Sequence, residues 1–447
     1  MYNPFIYSRI MLGQINVVIS YLLMPVVLFY MMDLFKNDLD KKSLIKLIFS
    51  MTFSSIFSIH FFFINFLVFF TASYYFYFYK KEYDIKRYLF SVLCLVFILI
   101  FLNLYWLQGI INNNIFSSIT EDHEDFFSPK PSEDIPAIMK IISMWGNWRE
   151  AGYLTSYNIY PLLLFYILVI FLLSFILLGY YYSKDLESRF FYTLFWIGLI
   201  LATGISHPYT GPFFDFLFKY IPFFNGFRDS HKFVSLIALS YSYFIPKFIL
   251  SLKSRNLRYF LIPIILIFIV FFTLPILLIN KQINPVSYPQ DYKEINKVLD
   301  SAKPKGYIIY LPWQSYITYE WSKDSSSDGR ISVPINNIVH YPVIIGPDTY
   351  SLENPLSEKI SVCIAKKDLV CLKQNSVEYI LIDKCAYYEK QDWINTSKVY
   401  SNDCIEIYKI DGISSVKYSI PLRFILSFLI SLMIFFLLIL LYIMRRK

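Results

Sequence analysis

Between residues 47 and 79 no side chain is charged at neutral pH. A helix rising 1.5 Å per residue needs about 20 apolar residues to cross a bilayer, so this run is too long for one untilted span. We expect a short span to about Ser58, a tight turn at His60, and a second span to Tyr79. Seven further apolar runs cover 15–30 (Pro25 a possible kink), 88–107, 161–182, 190–204, 232–250, 259–279 and 421–444. The run at 88–107 ends in NLYWL, an interfacial aromatic signature. About nine spans result. Only 17% of residues are charged and 20% are aromatic, against roughly 25% charged in soluble domains.

The short loops set the topology. Lys36, Lys41, Lys42 and Lys46 fill the first, and KKEYDIKR, SKDLESR and SLKSRNLR fill later ones. Arg445, Arg446 and Lys447 close the sequence. Basic short loops stay cytoplasmic, and alternation puts all of these on one side. The net charge of +8 reflects these loops and is no nucleic-acid signal. Segments 108–158, 205–231 and 280–418 then lie outside, with the N-terminus. Residues 1–10 lack the basic start of a signal peptide. Residues 1–14 read like the remnant of an external loop, so we expect upstream helices, on a partner subunit or ahead of a late start codon.

The expected architecture is an α-helical multi-pass membrane protein with a small external α/β domain. Residues 1–279 form the transmembrane domain, 280–418 the external domain, and 419–447 a last span with a basic cytoplasmic tail. In the external domain, 292–302 reads as an amphipathic helix and YIIYL at 307–311 as a buried strand. A helix over 367–375 leads to strands at 379–382 and 404–410. Four of the five cysteines lie there. An even set outside the membrane favours disulfides, and Cys363–Cys371 with Cys385–Cys404 closes two local loops. Zinc is the alternative, but no CxxC pair occurs. Cys94 sits within a span. Asn395-Thr396-Ser397 is a glycosylation sequon.

The densest charge at a span mouth is FFNGFRDSHKF, residues 223–233, with Arg228, Asp229, His231 and Lys232 in five positions. On the external side these cations run against the topological bias. Arg228, Lys232 and His231 are therefore candidates for holding a lipid phosphate, with interfacial snorkelling as the bland reading. EDHED places Asp122, His123 and Glu124 where a divalent cation could bind, although consecutive ligands cannot all face one ion. A solvated loop is the ordinary reading of such a run. Asp122, Glu124 and Asp215 are candidate catalytic carboxylates. Glu133, Asp134 and Glu150 are further external carboxylates without a motif, and His207 sits at a span end beside two prolines. No nucleophile elbow, P-loop or dinucleotide fingerprint occurs. Span interiors nearly free of charge argue against an ion pump.

Several stretches in order carry a family resemblance: NPFIYSRIMLGQ before a Pro-containing span, NLYWL, GFRDSHKF, YPQDYKEI, YIIYLPW and NSVEYILID. Together they resemble the membrane proteins of the GT-C glycosyltransferase superfamily, in the group that includes the 6-pyruvoyl-tetrahydropterin-synthase-related membrane domain. The likeness covers most of the chain. It implies transfer of a sugar from a polyprenyl-phosphate donor on the external face of the cell membrane, with membrane lipid around it. By position Arg228 and Lys232 match the phosphate-holding residues. The acidic residue of the family's first external loop has no counterpart, since the chain starts after that loop would end. A non-enzymatic membrane protein whose external domain binds a partner or an envelope component is the other reading.

Overall fold

In a computed structural model, the structure describes residues 3–79, 84–112, 119, 121–150, 153–279, 282–283, 287–322, 330–347, 355–386, 393–413, 416 and 421–444. They fall into two compact units, Met1–Leu278 with Pro421–Lys447, and Ile279–Ile420. The protein is a helical, multi-pass membrane protein carrying a small α/β domain.

The first unit opens with α1 (Pro4–Met11). Asn3 caps it, accepting from the Ile6 N–H at 3.0 Å, and Pro4 supplies a pre-set first turn. Then come α2 (Ile15–Lys36), α3 (Lys41–Phe57), α4 (Ile59–Ser73, extended by a π turn to Phe78), α5 (Ile85–Leu102) and α6 (Leu104–Asn112). The polar stretch forms three short helices, α7 (Glu121–Phe127), α8 (Ala137–Ile142) and α9 (Ser156–Ile159). After it run α10 (Leu162–Tyr182), α11 (Leu186–Ala202), α12 (Gly211–Tyr220), α13 (Val234–Ser251), α14 (Arg255–Phe272) and α15 (Leu274–Leu277).

Seven helices among the described residues are long and apolar enough to cross a membrane, where the sequence led us to expect about nine. The two that fall short are α3 and α11, at 17 residues each. Both begin inside charged loops, α3 with Lys41 and Lys42 and α11 with Glu187 and Arg189, which shortens their apolar stretch. The break between α3 and α4 falls at Ser58, whose φ and ψ of −151° and 118° leave the helix. His60 therefore lies in the first turn of α4 and not in the turn itself. The run expected over 88–107 is likewise interrupted, at Asn103. Its side chain turns back onto the Leu99 carbonyl at 2.8 Å and accepts from Ser55 Oγ at 2.6 Å.

Residues 234–241 of α13 are all buried. Helix α13 is the hub of this unit, packed by α10 and α11. Gly198 makes the close approach possible: a Cβ there would come within 2.9 Å of Leu236 Cβ.

In the second unit, α16 (Asp291–Ala302) buries Tyr292, Ile295 and Leu299 on one face. β1 (Tyr307–Leu311) is followed by the antiparallel pair β2 (Tyr316–Thr318) and β3 (Arg330–Ser332), then by α17 (Ile335–Ile338) and β4 (Val343–Ile344). α18 (Pro355–Ala365), α19 (Leu369–Gln374), β5 (Val377–Asp383), β6 (Ser397–Ser401) and β7 (Ile405–Lys409) complete it. The five-stranded sheet runs β4-β1-β5-β7-β6, parallel from β4 to β5 and antiparallel beyond. Ile308 and Tyr310 face α16, while Ile309 and Leu311 face α18 and α19. A strand covered on both sides explains the unbroken apolar run. Disulfides join Cys363 to Cys371 and Cys385 to Cys404, and Cys94 is free. Beyond this unit, α20 (Leu422–Met444) returns to the first, packing on α5 and α6.

Candidate functional site

The chain reaches α13 through a tightly wound segment. Phe223 adopts a left-handed φ of 67°, a 3₁₀ turn covers Phe224–Phe227, and a second covers Ser230–Phe233. Arg228 and Asp229 sit between the two turns. The four charged or ionisable side chains therefore do not line up on one helix face. They divide into a buried group and a rim.

The buried group is completed from the far end of the sequence. Arg9 of α1 is fully buried, and its guanidinium grips Asp229, with Nη1 2.5 Å from Oδ2 and Nη2 3.3 Å from Oδ1. Nη1 also donates to Gln14 Oε1 at 2.7 Å. Lys232 Nζ reaches Asp229 Oδ2 at 3.1 Å, its side chain only 8% exposed. Burial by itself would raise the Asp229 carboxyl, but the Arg9 and Lys232 charges outweigh it and hold the group well below the usual carboxylate range. Two cations meet one carboxylate, so the cluster keeps one net positive charge away from water.

His231 belongs to the same cluster. Arg9 Nη2 lies 2.9 Å from its Nδ1, and Arg has only donors to offer. Nδ1 must therefore accept, and the remaining proton sits on Nε2, which faces the Trp145 carbonyl at 3.2 Å. Both ring nitrogens are engaged. His231, expected as a phosphate ligand, has no nitrogen left for one. Its role is to hold the loop carrying Trp145 against α1. Tyr7 of α1 adds an edge contact to the buried Trp145 ring at 5.5 Å.

Arg228 forms the rim. It is half-buried, with its guanidinium 5.0 Å above the Phe127 ring. Helix α7, which carries EDHED, thus lies beside the basic segment. His123 and Glu124 are buried on this helix, whereas the Asp122 side chain lies outside the described residues. Among the described residues no group of three or more His, Cys, Asp or Glu side chains is placed to hold a metal ion. Asp215 is bound up in a surface pair with Lys219, one turn along α12 at 3.0 Å. His60 Nε2 meets the Gly226 carbonyl at 3.0 Å and so braces the first 3₁₀ turn. Glu133 and Asp134 sit in the exposed stretch before α8.

An apolar cavity of about 540 Å³ adjoins the same segment. Phe223, Phe224, Phe227 and Phe233 form one wall, and Phe63 and Ile200 belong to the other. Phe227 and Phe233 stack at 4.7 Å between ring centres. Arg228 directly follows Phe227 and Lys232 directly precedes Phe233, so the greasy wall and the cations share one stretch of backbone.

Another buried carboxyl, Glu150, stands close in sequence to Trp145. Glu150 accepts from the backbone N–H groups of Gly146 and Asn147 and from the Tyr157 hydroxyl, with Lys140 Nζ at 3.6 Å. Burial pushes it up to about 7, against the pull of Lys140 and the N–H groups.

The sequence drew attention to Arg228, Asp229, His231 and Lys232 together, but not to Arg9, which lies 220 positions from Asp229. No local pattern encodes that pairing. The signal that was present is the rarity of a charged residue beside an apolar span.

No family model matches the sequence, and no curated protein matches it. Two matching solved structures are single-particle cryo-EM structures of the arabinofuranosyltransferase AftD from Mycobacteria. One, of a mutant, has 9% sequence identity and a TM-score of 0.48, covering 88% of this chain and 31% of that one. The other has 9% identity and a TM-score of 0.45, covering 83% and 28%. The chain thus spans less than a third of the length of those structures.

Proposed function

We propose that this protein is a membrane glycosyltransferase, or a subunit of one, that takes a sugar from a polyprenyl-phosphate donor on the external face of the cell membrane. The observation that carries the reading is the adjacency of the Phe-lined cavity to Arg228 and to the cluster in which Arg9 and Lys232 share the one carboxylate of Asp229. An isoprenoid chain suits the first and a phosphate the second. The order of motifs resembling GT-C enzymes supports it independently.

Arg228 is the principal phosphate ligand in this reading. Its planar fork can hold two phosphate oxygens. Lys232 supplies charge from behind, since Asp229 takes one of its three N–H donors. In the transfer, an acceptor hydroxyl oxygen bonds to the anomeric carbon. The bond from that carbon to the phosphate oxygen breaks, and the leaving phosphate keeps the electron pair. Both cations then stabilise the charge that develops there. A base must take the hydroxyl proton. Glu124 and Asp122 are candidates because Phe127 of the same helix lies under Arg228. Asp215 is the weakest of the three because Lys219 already occupies it. A partner subunit carrying a further acidic loop fits the same scheme.

Titrating purified protein with a short-chain polyprenyl phosphate tests the site. Arg228→Ala should weaken binding by about 1.5–3 kcal/mol, the range for a hydrogen bond to a charged group, and Arg228→Lys should restore part of it. Unchanged affinity in the alanine variant would remove the site, and with it the donor assignment.

A further inference from the structure

A second cleft lies between α2, α3 and α20, away from the basic segment before α13. Its volume is about 510 Å³. Leu23, Val26, Phe49, Phe53, Ile56 and Phe435 form its apolar walls. Val26, Phe53 and Ile56 are exposed, so the cleft opens sideways, toward the surface that a membrane-spanning bundle gives to lipid. Phe49 and Phe435 meet edge to face at 5.4 Å and tie α3 to α20.

Ser50 and Thr52 also line the cleft, but its one charged residue and its two tyrosines gather at one end. Tyr30 comes near the end of α2, Lys46 near the start of α3, and Tyr442 near the end of α20. Lys46 holds its ammonium 5.5 Å from the Tyr30 ring centre, with its side chain 30% exposed. Its nearest carboxylate, Asp33, is 3.9 Å away, beyond hydrogen-bond distance. Asp33 accepts instead from Ser43 Oγ at 2.7 Å and Asn37 Nδ2 at 2.8 Å. Asp40 is likewise committed, to the N–H groups of Lys42 and Ser43 at the start of α3. Lys41 and Lys42 flank the same end. The nearby acids are thus engaged by neutral donors while the lysine at the mouth retains donors to give. From Lys46 to Ile56 is ten residues of helix, about 15 Å, which is half of a ~30 Å hydrocarbon core. The cleft is one leaflet deep, apolar within, cationic at the surface.

We propose that this cleft is a site for an anionic glycerophospholipid. One acyl chain lies between α2, α3 and α20, and the headgroup phosphate takes hydrogen bonds from Lys46. Basic mouths of this kind between membrane helices recognise acidic headgroups. The site is independent of any donor bound near Arg228.

The test uses the full chain, stripped of lipid in a neutral detergent, with dioleoyl phosphatidylglycerol or dioleoyl phosphatidylcholine added back while thermal unfolding is followed. A ligand that binds only the folded protein raises its apparent stability with concentration. Both lipids offer an anionic phosphate to Lys46, but the choline cation offsets that charge and would lie near the ammonium, so phosphatidylglycerol should bind at least about tenfold more tightly than phosphatidylcholine. Lys46→Gln should abolish that preference and Lys46→Arg should keep it. Ser50→Trp, which fills the cleft, should weaken both lipids. Equal affinity of the parent protein for the two lipids would overturn the proposal. So would a preference that survives Lys46→Gln, or lipid binding untouched by Ser50→Trp.

Discussion

Glu150 is a carboxyl that gains a proton by folding. Its folded value of about 7 stands above the ordinary 4.5, so between those pH values the folded chain binds more protons than the unfolded one. Stability from this group is complete below about pH 4.5 and is lost as pH rises through 7. The loss is at most roughly 3–4 kcal/mol, since each pKa unit is worth 1.36 kcal/mol. Thermal unfolding in detergent from pH 5 to 8 should show that decline, and Glu150→Gln should flatten it. A slope equally steep in the variant would assign the pH dependence to other groups. Sequence reading found Glu150 only as one external carboxylate among several. What sets it apart is the loop that folds back to offer it the N–H groups of Gly146 and Asn147, and a loop's path leaves no periodic trace.

Short helices can matter more than long ones when they carry the missing charge. α1 has eight residues, yet Phe5, Tyr7 and Arg9 are fully buried. Arg9→Ala would leave Asp229 facing Lys232 alone in a dry setting. Removing one partner of a buried pair costs about 3–5 kcal/mol, whereas Asp215→Ala, which breaks only the exposed pair with Lys219, should cost under about 1 kcal/mol. Unfolding of both variants in the same detergent gives the comparison; similar losses would mean that α1 is a passenger. The long elements were easier to read than this one. The apolar run at 307–311 and the amphipathic pattern at 292–302 correspond to β1 and α16, because in both cases local periodicity and burial agree. β4, two residues long, and β6, exposed along most of its length, give periodicity nothing to act on. α3 and α11 were read as spans from their apolar content alone. Their ends in charged loops leave 17 residues each.

At the scale of the whole molecule, the basic short loops set the expected sidedness. The expected orientation counts α3 and α11 as crossings; without them alternation would move the Lys184 loop to the other side and leave the Arg255 loop where it is. The basic loops at Lys184 and Arg255 should be cytoplasmic, and the unit Ile279–Ile420 external. Reporter fusions after Lys184, after Arg255 and within residues 357–363 should separate accordingly. A cytoplasmic signal from the last would move the sheet unit to the other side and undo the external donor assignment. The disulfides Cys363–Cys371 and Cys385–Cys404 belong with the external placement, because a reducing compartment would not keep them. The return of α20 to the first unit has a consequence for biosynthesis. Ser431 Oγ of α20 donates to the Phe101 carbonyl of α5 at 2.8 Å, so helices made early are joined by one made roughly 300 residues later. At about 5–20 residues per second, a ribosome takes tens of seconds to cover that gap. For that time α5 and α6 wait at the translocon with a flank uncovered, and a chaperone or a neighbouring chain has its opportunity to occupy it.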